Sequence, residues 1–384
     1  MNNWKETTWG TLATLEYGKS LRGYESAKGK YRVYGTNGPI GWHDESLCTF
    51  PSVIIGRKGA YRGVHFSSAP FFVIDTAFYL KPITEFDIKW AYYQLLTQDI
   101  NGMDSGSAIP STSREAFYNL PVNLPPLPEQ KAIAAVLSSF DDKIELLRRE
   151  NKTLESIAQT IFKEWFVKFK VNGKKLKIDS KTNLPEGWTQ KGLDEIADFL
   201  NGLALQKYPP KSEADVLPVI KIRELKAGIT DQTDKANKEI ASEYIVDDGD
   251  VLFSWSGSLE VVLWCYGKGA LNQHLFKVTS KKYPKWFYYY WTMEYLPFFK
   301  SIAEAKATTM GHIQRHHLAE AKVAVPDNDF MAFANGKIKP VFEKIVLNNS
   351  QIQTLSKLRD TLLPKLMKGE IRVRSEKRKV KSEK

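Results

Sequence analysis

Residues 127–168, LPEQKAIAAVLSSFDDKIELLRRENKTLESIAQTIFKEWFVK, decide how the rest of the chain is organised. They follow a proline-rich segment, 121–128, which cannot continue a helix from the amino-terminal side. No proline or glycine then occurs between Glu129 and Gly173. Apolar residues recur seven apart at Ile133, Phe140, Leu147, Leu154 and Ile161, and a second column comprises Val136, Leu137, Ile144, Ile157, Ala158 and Trp165. This pattern predicts a long helix with a coiled-coil seam, which needs a partner helix.

A second stretch, 335–371 (NGKIKPVFEKIVLNNSQIQTLSKLRDTLLPKLMKGEI), supplies a matching seam. Its apolar columns are Ile338, Ile345 and Ile352, and Val341, Leu355 and Leu362. Asn348 and Asn349 interrupt this seam, as Asn151 interrupts the first one, and polar seam residues fix register at a cost in stability. We expect the two helices to pair antiparallel, which cysteines at Leu154 and Leu355 would test by cross-linking.

Composition places the chain among basic proteins without membrane spans. It has 384 residues, 42% of them apolar, with a formal charge of +11 and a pI near 9.2. Such a charge favours a polyanionic partner. The two cysteines, Cys48 and Cys265, lie too far apart for a ligand pair, and a disulfide framework is excluded by their number. We find no signal peptide and no apolar run of about 18 residues, so we expect a cytoplasmic protein.

The order of features in the first half recurs in the second half. Trp188, Leu193, Ile196 and Phe199 repeat an amphipathic start near Trp9, and a basic linker, 169–183, precedes them. The separations are 198 residues from Val53 to Val251, 196 from Trp90 to Trp286 and 201 from Pro125 to Pro326. Predicted strands are 52–55, 71–74, 77–80 and 219–222, and 86–96 is a predicted helix. Near-constant spacing predicts an internal duplication of a globular domain followed by a long helix.

Sequence motifs of catalysis are mostly absent. The chain lacks the phosphate-binding G-x-x-x-x-G-K-[ST] pattern, and 35–41 has the wrong glycine spacing for a dinucleotide site. His312 and His316 are four apart, which on a helix would place both on one face, as a metal pair needs. No carboxylate stands between them as in H-E-x-x-H, so we assign no metal site and no catalytic residue.

Basic, aromatic and small polar residues occur in the predicted loops of both halves. Arg and Lys bind phosphates or guanine edges, Asn and Gln read adenine, and Ser and Thr suit either. In the first half the candidate DNA-binding residues are Arg22, Lys30, Arg32, Tyr34, Asn37, Trp42, His43, Arg57, Lys58, Tyr61, Arg62, Ser107, Ser111, Thr112, Ser113 and Arg114. In the second half they are Lys221, Arg223, Ser254, Trp255, Ser256, Asn272, Gln273, His274, Thr308, Thr309, His312 and Arg315.

Five motifs resemble those of DNA-specificity subunits of Type I restriction-modification enzymes. They are NLPPLPEQKAIA at 123–134, DDKI at 141–144, LPEGW at 184–188, LNQH at 271–274 and LSKLRDTLLPKLMKGEI at 355–371. The second junction departs from the pattern, because DNDFM stands at 327–331 where the first has PLPEQ at 126–130. The resemblance extends along nearly the whole chain.

This resemblance implies an α+β fold. Two globular α/β target-recognition domains would be separated by two long paired (antiparallel coiled-coil) helices, with an internal pseudo-twofold repeat. The implied boundaries are 1–128 for the first domain, 129–168 for the central spacer helix, 169–183 for the linker, 184–327 for the second domain, 328–369 for the C-terminal spacer helix and 370–384 for a basic disordered tail.

The same resemblance implies a function without chemistry of its own. The partners would be double-stranded DNA carrying a split asymmetric site, two methyltransferase subunits and restriction/translocase subunits. The chain itself would need no cofactor, because S-adenosylmethionine would bind the methyltransferase. Two alternatives remain open: a stand-alone nuclease with a metal at His312 and His316, or a coiled-coil scaffold that binds only protein.

Overall fold

The structure is a computed structural model that describes residues 4–25, 28–103, 109–212, 214–305 and 311–373. The chain divides into two compact units. The first comprises Met1–Lys143 and Leu355–Lys384, and the second comprises Ile144–Thr354. Each unit therefore contains a globular body and portions of two long helices. No helix in the described ranges is long and apolar enough to cross a membrane.

The body of the first unit combines small sheets with short helices. Its strands are β1 Lys5–Thr8, β2 Ala13–Tyr17, β3 Tyr31–Gly35, β4 Gly38–His43, β5 Ser52–Gly56, β6 Val64–Ser67, β7 Phe71–Val73, β8 Ala77–Pro82 and β9 Pro121–Leu124. Its helices are α1 Trp9–Leu12, α2 Ile88–Leu96 and α3 Arg114–Tyr118, and α4 Leu127–Phe162 follows. The predicted strands 52–55, 71–74 and 77–80 and the predicted helix 86–96 are confirmed.

The sheets of the first unit have the order β2-β8-β5-β6, all antiparallel, and β4-β3-β7, in which β3 and β7 are parallel. A third sheet pairs β1 with β9. Trp9, Trp90 and Phe117 are fully buried between these strands and the helices. The Trp9 indole N–H donates to Gln94 Oε1 at 3.2 Å, so its polar atom is satisfied in the core.

The second unit has the following elements. Its strands are β10 Lys170–Val171, β11 Lys174–Lys175, β12 Thr189–Gly192, β13 Asp198–Asn201, β14 Val216–Ile220, β15 Lys235–Asn237, β16 Ile245–Val246, β17 Val251–Ser254, β18 Val261–Leu263, β19 Gly269–Leu271, β20 Leu275–Thr279 and β21 Lys322–Val325. Its helices are α5 Leu193–Ile196, α6 Ile222–Ala227, α7 Lys285–Ala305, α8 Arg315–Glu320 and α9 Asn328–Met367. Short 3-10 segments cover Leu205–Lys207 and Ser242–Tyr244.

The strand order of the second unit repeats that of the first. The sheet β13-β20-β17-β18 corresponds to β2-β8-β5-β6, and β14 pairs in parallel with β19 as β3 does with β7. β12 pairs with β21 as β1 does with β9. The predicted duplication therefore appears in the topology of the two bodies. β16, which pairs with β19, corresponds to the isolated bridge between Cys48 and Phe71 in the first body.

One glycine has the same role in both bodies. A Cβ on Gly18 would lie 2.0 Å from Ile74 O, and a Cβ on Gly202 would lie 2.2 Å from Asn272 O. Each glycine follows the first strand of its large sheet, and no side chain fits there because a neighbouring backbone passes so closely.

Two boundaries differ from the sequence prediction. β14 ends at Ile220, and residue 222, expected at the end of that strand, begins α6. The Lys221 amide donates to Glu224 Oε2 at 3.1 Å, which is the backbone half of a capping box and favours a helix start. The predicted linker 169–183 contains the small hairpin β10–β11.

The long helices are partly as the heptads predict. α4 continues into a π-helical turn, Lys163–Val167, which extends the helix close to the predicted end at 168. Residues buried on the expected seam include Ile133, Leu147, Ile338, Ile345 and Ile352. Phe140, Leu154, Ile161, Leu355 and Leu362 are half-buried. Ile157, which we assigned to the second column, is instead 45% exposed.

Phe166, in the π-helical turn, anchors this helix end in the second body. It is fully buried, and its ring centroid lies 5.4–5.9 Å from those of Trp188, Trp286, Phe287 and Phe330. We expect Phe166→Ala to lower the free energy of unfolding by about 3–5 kcal/mol, because it removes a large core side chain and leaves a cavity.

Denaturant unfolding followed by circular dichroism would measure this loss. The neighbouring Val167 is 39% exposed, so Val167→Ala is the matched control and should change stability by less than about 1 kcal/mol. Equal effects of the two substitutions would contradict the anchoring role.

Candidate nucleic-acid interface

A cluster of cations and aromatic rings lies at one edge of the first body, and we call it the first loop cluster: Tyr17, Arg57, Lys58, Ser111 and Arg114. Tyr17 ends β2, Arg57 follows β5, and Lys58 and Ser111 form an isolated β-bridge that joins two loops. The guanidinium carbons of Arg57 and Arg114 lie 4.8 and 5.1 Å from the Tyr17 ring centroid. Both distances are within the range of cation–π contacts.

The first loop cluster carries net positive charge. Lys58 forms an ion pair with Asp75 at 3.2 Å, and Arg57 Nη1 donates to the Asp75 carbonyl at 2.9 Å. Arg114 donates from Nε and Nη2 to the Tyr118 hydroxyl, at 3.2 and 2.7 Å. Of these three cations only Lys58 is paired with a carboxylate in the described part of the chain. Such a group attracts an anion, and its fixed guanidinium planes suit phosphate or a guanine edge.

Three loops of the first body meet beside this cluster. The Gly59 amide donates to Pro110 O at 2.9 Å, and the Gly63 amide donates to Thr36 O at 3.0 Å. The 57–63 loop is therefore held between the loop before α3 and the β3–β4 turn. Tyr61, at 78% exposure, projects from it, and Asn37 in the turn is also exposed.

Arg62 supports this loop from inside. It is only 4% exposed, and its guanidinium donates to Gly59 O at 3.1 Å and to Asn101 O at 2.5 Å. We expected Arg62 to contact DNA, and its burial revises that expectation. The ring of His65 lies against Gly63, and burial lowers the pKa of this imidazole, so it is neutral at neutral pH.

The β3–β4 hairpin carries several other candidates. Arg32 lies with its guanidinium carbon 4.7 Å from the Trp42 ring centroid. Tyr34 is half-buried against Phe71, with ring centroids 5.6 Å apart. His43 Nδ1 accepts the Glu45 amide at 3.1 Å. Two further candidates, Arg22 and Lys30, precede this hairpin and are exposed.

The second body has a corresponding group, the second loop cluster: Asn201, Trp255, Ser256, His312 and Arg315. Ser256 and His312 form an isolated β-bridge, as Lys58 and Ser111 do in the first body. Asn201 ends β13 and pairs with Phe276, as Tyr17 ends β2 and pairs with Phe78. Each residue of the second cluster therefore occupies the place of its counterpart in the first.

The chemistry of the second loop cluster differs from that of the first. Trp255 stands where the first body has Arg57, and its ring centroid lies 6.0 Å from that of His274 and 6.3 Å from that of His312. Its indole N–H donates to Asn201 Oδ1 at 2.9 Å and to Gln273 O at 3.2 Å. The guanidinium carbon of Arg315 lies 5.8 Å from the Phe276 ring centroid. The cluster is aromatic with one cation.

Four further candidates have buried side chains and support loops instead of facing solvent. Thr112 Oγ1 donates to Gly56 O at 2.8 Å, and Ser254 Oγ donates to Ser258 O at 2.6 Å. Ser256 Oγ and His274 Nδ1 are 3.0 Å apart, and Asn272 Oδ1 accepts the His274 amide at 3.3 Å. A base could reach these groups only if the loops moved. Ser113 also has a local role, since it caps α3 by accepting the Ala116 amide.

The cations at the start of α6 are already paired. Lys221 forms an ion pair with Asp234, and Arg223 donates to the buried Glu224 carboxylate at 2.8 Å. Both lysine and arginine remain about half exposed, at 43% and 54%. Ser107, Thr308 and Thr309 lie outside the described residues.

The histidine pair is not arranged as an i, i+4 metal site. α8 begins at Arg315, so His312 lies before the helix, in the bridge with Ser256. The helix instead places His316, His317 and Glu320 with possible ligand atoms within 4.8 Å of one another. His317 Nδ1 accepts the Gln314 amide at 2.9 Å, so one ring nitrogen already has a local partner.

Tyr17 and Asn201 belong to these clusters, yet sequence reasoning missed them. The sequence did contain a signal, because Gly18 follows Tyr17 and Gly202 follows Asn201, and the fold requires both glycines. Tyr17 and Asn201 are 184 residues apart. Loop residues are easier to recognise than strand ends, and both residues are the last of a strand.

Comparison with known proteins supports the repeat. The family model described as "Type I restriction modification DNA specificity domain" matches residues 1–156 and again 185–330. The chain is 26% identical over 300 residues to the specificity subunit of the Type I restriction enzyme MjaIX of Methanocaldococcus jannaschii, covering 74% of this chain and 69% of that protein. It is 21% identical over 346 residues to the specificity subunit of HindI of Haemophilus influenzae, covering 73% and 74%.

A solved structure has the same fold. The crystal structure of the Type I restriction-modification system S subunit from M. genitalium superposes with a TM-score of 0.63 at 18% identity, covering 95% of this chain and 96% of that one. The family model accounts for well over half of the residues. This protein belongs to the Type I restriction-modification DNA specificity family.

Proposed function

We propose that this chain is a DNA-specificity subunit whose two bodies each read one half of a split, asymmetric DNA site. The observation that carries the proposal is the repeat of one fold with a loop cluster at the same edge of each copy. Two readers in one chain account for two half-sites, and different residues at equivalent positions account for different bases in each half.

Within this proposal the candidates that are exposed or half-buried divide by chemistry. Arg57, Lys58 and Arg114 take phosphates or a guanine edge, since guanidinium forks suit both. Tyr61 and Asn37 extend the same surface. In the second body Trp255, Gln273, His274, His312 and Arg315 face the DNA, and the buried serine, threonine and asparagine candidates hold their loops in place.

The two long helices form the antiparallel spacer between the readers in our proposal. Within the second unit, Asn348 Nδ2 donates to Asn151 Oδ1 at 2.8 Å, and Asn151 Nδ2 donates to Asn349 Oδ1 at 2.7 Å. Within the first unit, Arg359 Nη1 binds Asp141 Oδ1 at 2.7 Å. In both units, later residues of one helix meet earlier residues of the other, which supports antiparallel pairing. The domain boundaries predicted from the sequence remain part of this proposal.

The chain has no reaction of its own in this proposal. Methyltransferase subunits dock on it and bring S-adenosylmethionine, and restriction/translocase subunits join them. The methylation map of DNA from cells that co-express this chain with its cognate methyltransferase subunit tests the proposal. We expect a split motif with two short half-sites around a fixed gap. Methylation at no defined motif, with both subunits folded, would favour a protein-binding scaffold.

Replacing Arg57 and Arg114 together with alanine should weaken DNA binding by the complex with the methyltransferase. Each lost phosphate contact reduces the slope of log K against log salt by about 0.9, so we expect a slope smaller by up to about 2. If either arginine instead reads guanine, methylation should relax at positions of one half-site and stay strict in the other.

Lys81→Ala is the matched control for this experiment. Lys81 is exposed on β8 and pairs with Thr14, whereas the cluster lies at the Tyr17–Phe78 end of the same strands. It removes a charge from the same sheet without touching the cluster. Double and control variants with identical affinity and salt slope would place the DNA elsewhere on this body.

A further inference from the structure

The second loop cluster surrounds a cavity of about 310 Å³. The walls include Asn201, Trp255, Phe276, His312, Gln314 and Arg315. This volume is at the small end of the roughly 300–1,000 Å³ that ligand sites occupy, so it suits one flat ring system.

The rings of this cavity are fixed before any ligand arrives. The Trp255 and Phe276 rings are 6.0 Å apart at 32°, and the Trp255 N–H is already bonded to Asn201 and Gln273 within the body. The polar edge of the indole is therefore satisfied internally, and the ring is held in place without a ligand. Arg315 Nη2 donates to Phe199 O at 3.2 Å, which holds the guanidinium beside the cavity.

The equivalent place in the first body contains arginine side chains. Arg57 replaces Trp255, and its guanidinium carbon lies 4.8 Å from the Tyr17 ring and 5.7 Å from the Phe78 ring. Arg114, the counterpart of Arg315, lies over Tyr17 as well. The first body thus places two arginines over Tyr17, whereas the second lines its cavity with an indole, an imidazole and amides beside a single cation, Arg315.

From this difference we propose that the Trp255 cavity receives one nucleobase of the second half-site, unstacked from the duplex. A nucleobase is a flat ring with donors and acceptors at its rim. The indole would stack on its face, His312 and Gln314 would meet its rim, and Arg315 would neutralise the adjoining phosphate. The inference rests on the proposed function, because it needs the second body to face DNA.

Such a contact would add specificity that groove reading alone does not supply. Unstacking a base costs energy that depends on the base step, and pyrimidine–purine steps open most easily. The cavity would therefore favour a flexible step in the second half-site. The first body, with cations at the same place, would read a stacked base or a phosphate.

The test uses the complex of this chain with its methyltransferase on duplexes that carry the methylated site. Each thymine of the second half-site is probed with permanganate, each purine is replaced singly by 2-aminopurine, and each cytosine is replaced singly by the fluorescent analogue pyrrolo-cytosine. We expect one position, other than the base to be methylated, to become reactive or fluorescent on binding. Trp255→Ala should abolish that signal and weaken binding by about 10- to 100-fold.

Trp255→Phe separates stacking from folding, because it retains a ring in the cavity and should retain most of the signal. If Trp255→Ala fails to fold, the Phe variant and the wild-type probe pattern still show whether a base other than the methylated one is unstacked. A wild-type complex that methylates a split motif with no unstacked position besides the methylated base would overturn the cavity proposal alone. Loss of any defined motif in the wild-type complex would instead overturn the proposed function.

Discussion

Four residues inserted after Arg149 in α4, together with four inserted after Ser350 in α9, are expected to lengthen the gap of the methylated site by one or two base pairs. Each helical residue adds about 1.5 Å, so the spacer gains about 6 Å. One base pair occupies about 3.4 Å along the duplex. The inserted residues should be strong helix formers with leucine on the seam.

The two insertion points keep the contacts of each unit together. Asn151 lies after the first point and Asn348 and Asn349 lie before the second, so their hydrogen bonds remain within the second unit. The Asp141–Arg359 ion pair remains within the first unit. Insertion in α4 alone is the control, because it leaves helices of unequal length and should reduce methylation. An unchanged gap with methylation retained in the doubly extended chain would reject a spacer of fixed length.

Exchanging the first body with that of a relative addresses the independence of the two readers. Replacing residues 4–118 should alter one half-site and leave the other half-site and the gap unchanged, because α4 and α9 stay in place. The methylation map of the exchanged chain measures both halves at once. Changes in both halves would mean that the bodies do not read separately.

The long helices and the repeat could be predicted from the sequence because both have a periodic pattern of residues. The apolar seam of α4 is interrupted by no proline or glycine. The buried strand β5 recurs as β17, and Val53 and Val251 in these strands are 198 residues apart. The start of α6 was missed because Val219 to Ile222 is a continuous β-branched and apolar run apart from Lys221. Glu224, three residues after Lys221, accepts the Lys221 amide and is the local signal that the strand ends and a helix begins.

The candidate DNA contacts could be predicted as a set but not one by one. Composition identifies polar loop residues, yet it does not tell a hydroxyl that bonds its own loop from one that faces solvent. Ser254 is fully buried, whereas Tyr61, in the equivalent stretch of the first body, is 78% exposed. The hydrogen bonds within these loops, Ser254 to Ser258 and Arg62 to Gly59, form only in the folded chain and leave no local sequence signal.

Asn151→Leu is expected to destabilise the helix pair by about 2–4 kcal/mol, although it adds apolar surface. Asn348 is fully buried and donates to Asn151 Oδ1, and its own Oδ1 has no hydrogen-bond partner in the described part of the chain. Removing Asn151 would leave Asn348 Nδ2 without its acceptor and the half-buried Asn349 Oδ1 without its donor, and a buried group left unsatisfied costs about 1–3 kcal/mol. Denaturant unfolding followed by helix circular dichroism measures the loss.

The double variant Asn151→Leu, Asn348→Leu should recover or exceed the wild-type stability, because it replaces a buried polar pair by an apolar one. The buried asparagine pair therefore fixes the register of the two helices and does not raise their stability. A seam without this buried asparagine pair accepts neighbouring registers more readily, whereas the pair favours one register. If register sets the gap, the double variant should methylate sites with more than one gap length, and Asn151→Leu should not. A double variant that is as stable as the wild type and methylates a single, unchanged gap would show that the rest of the seam fixes the register.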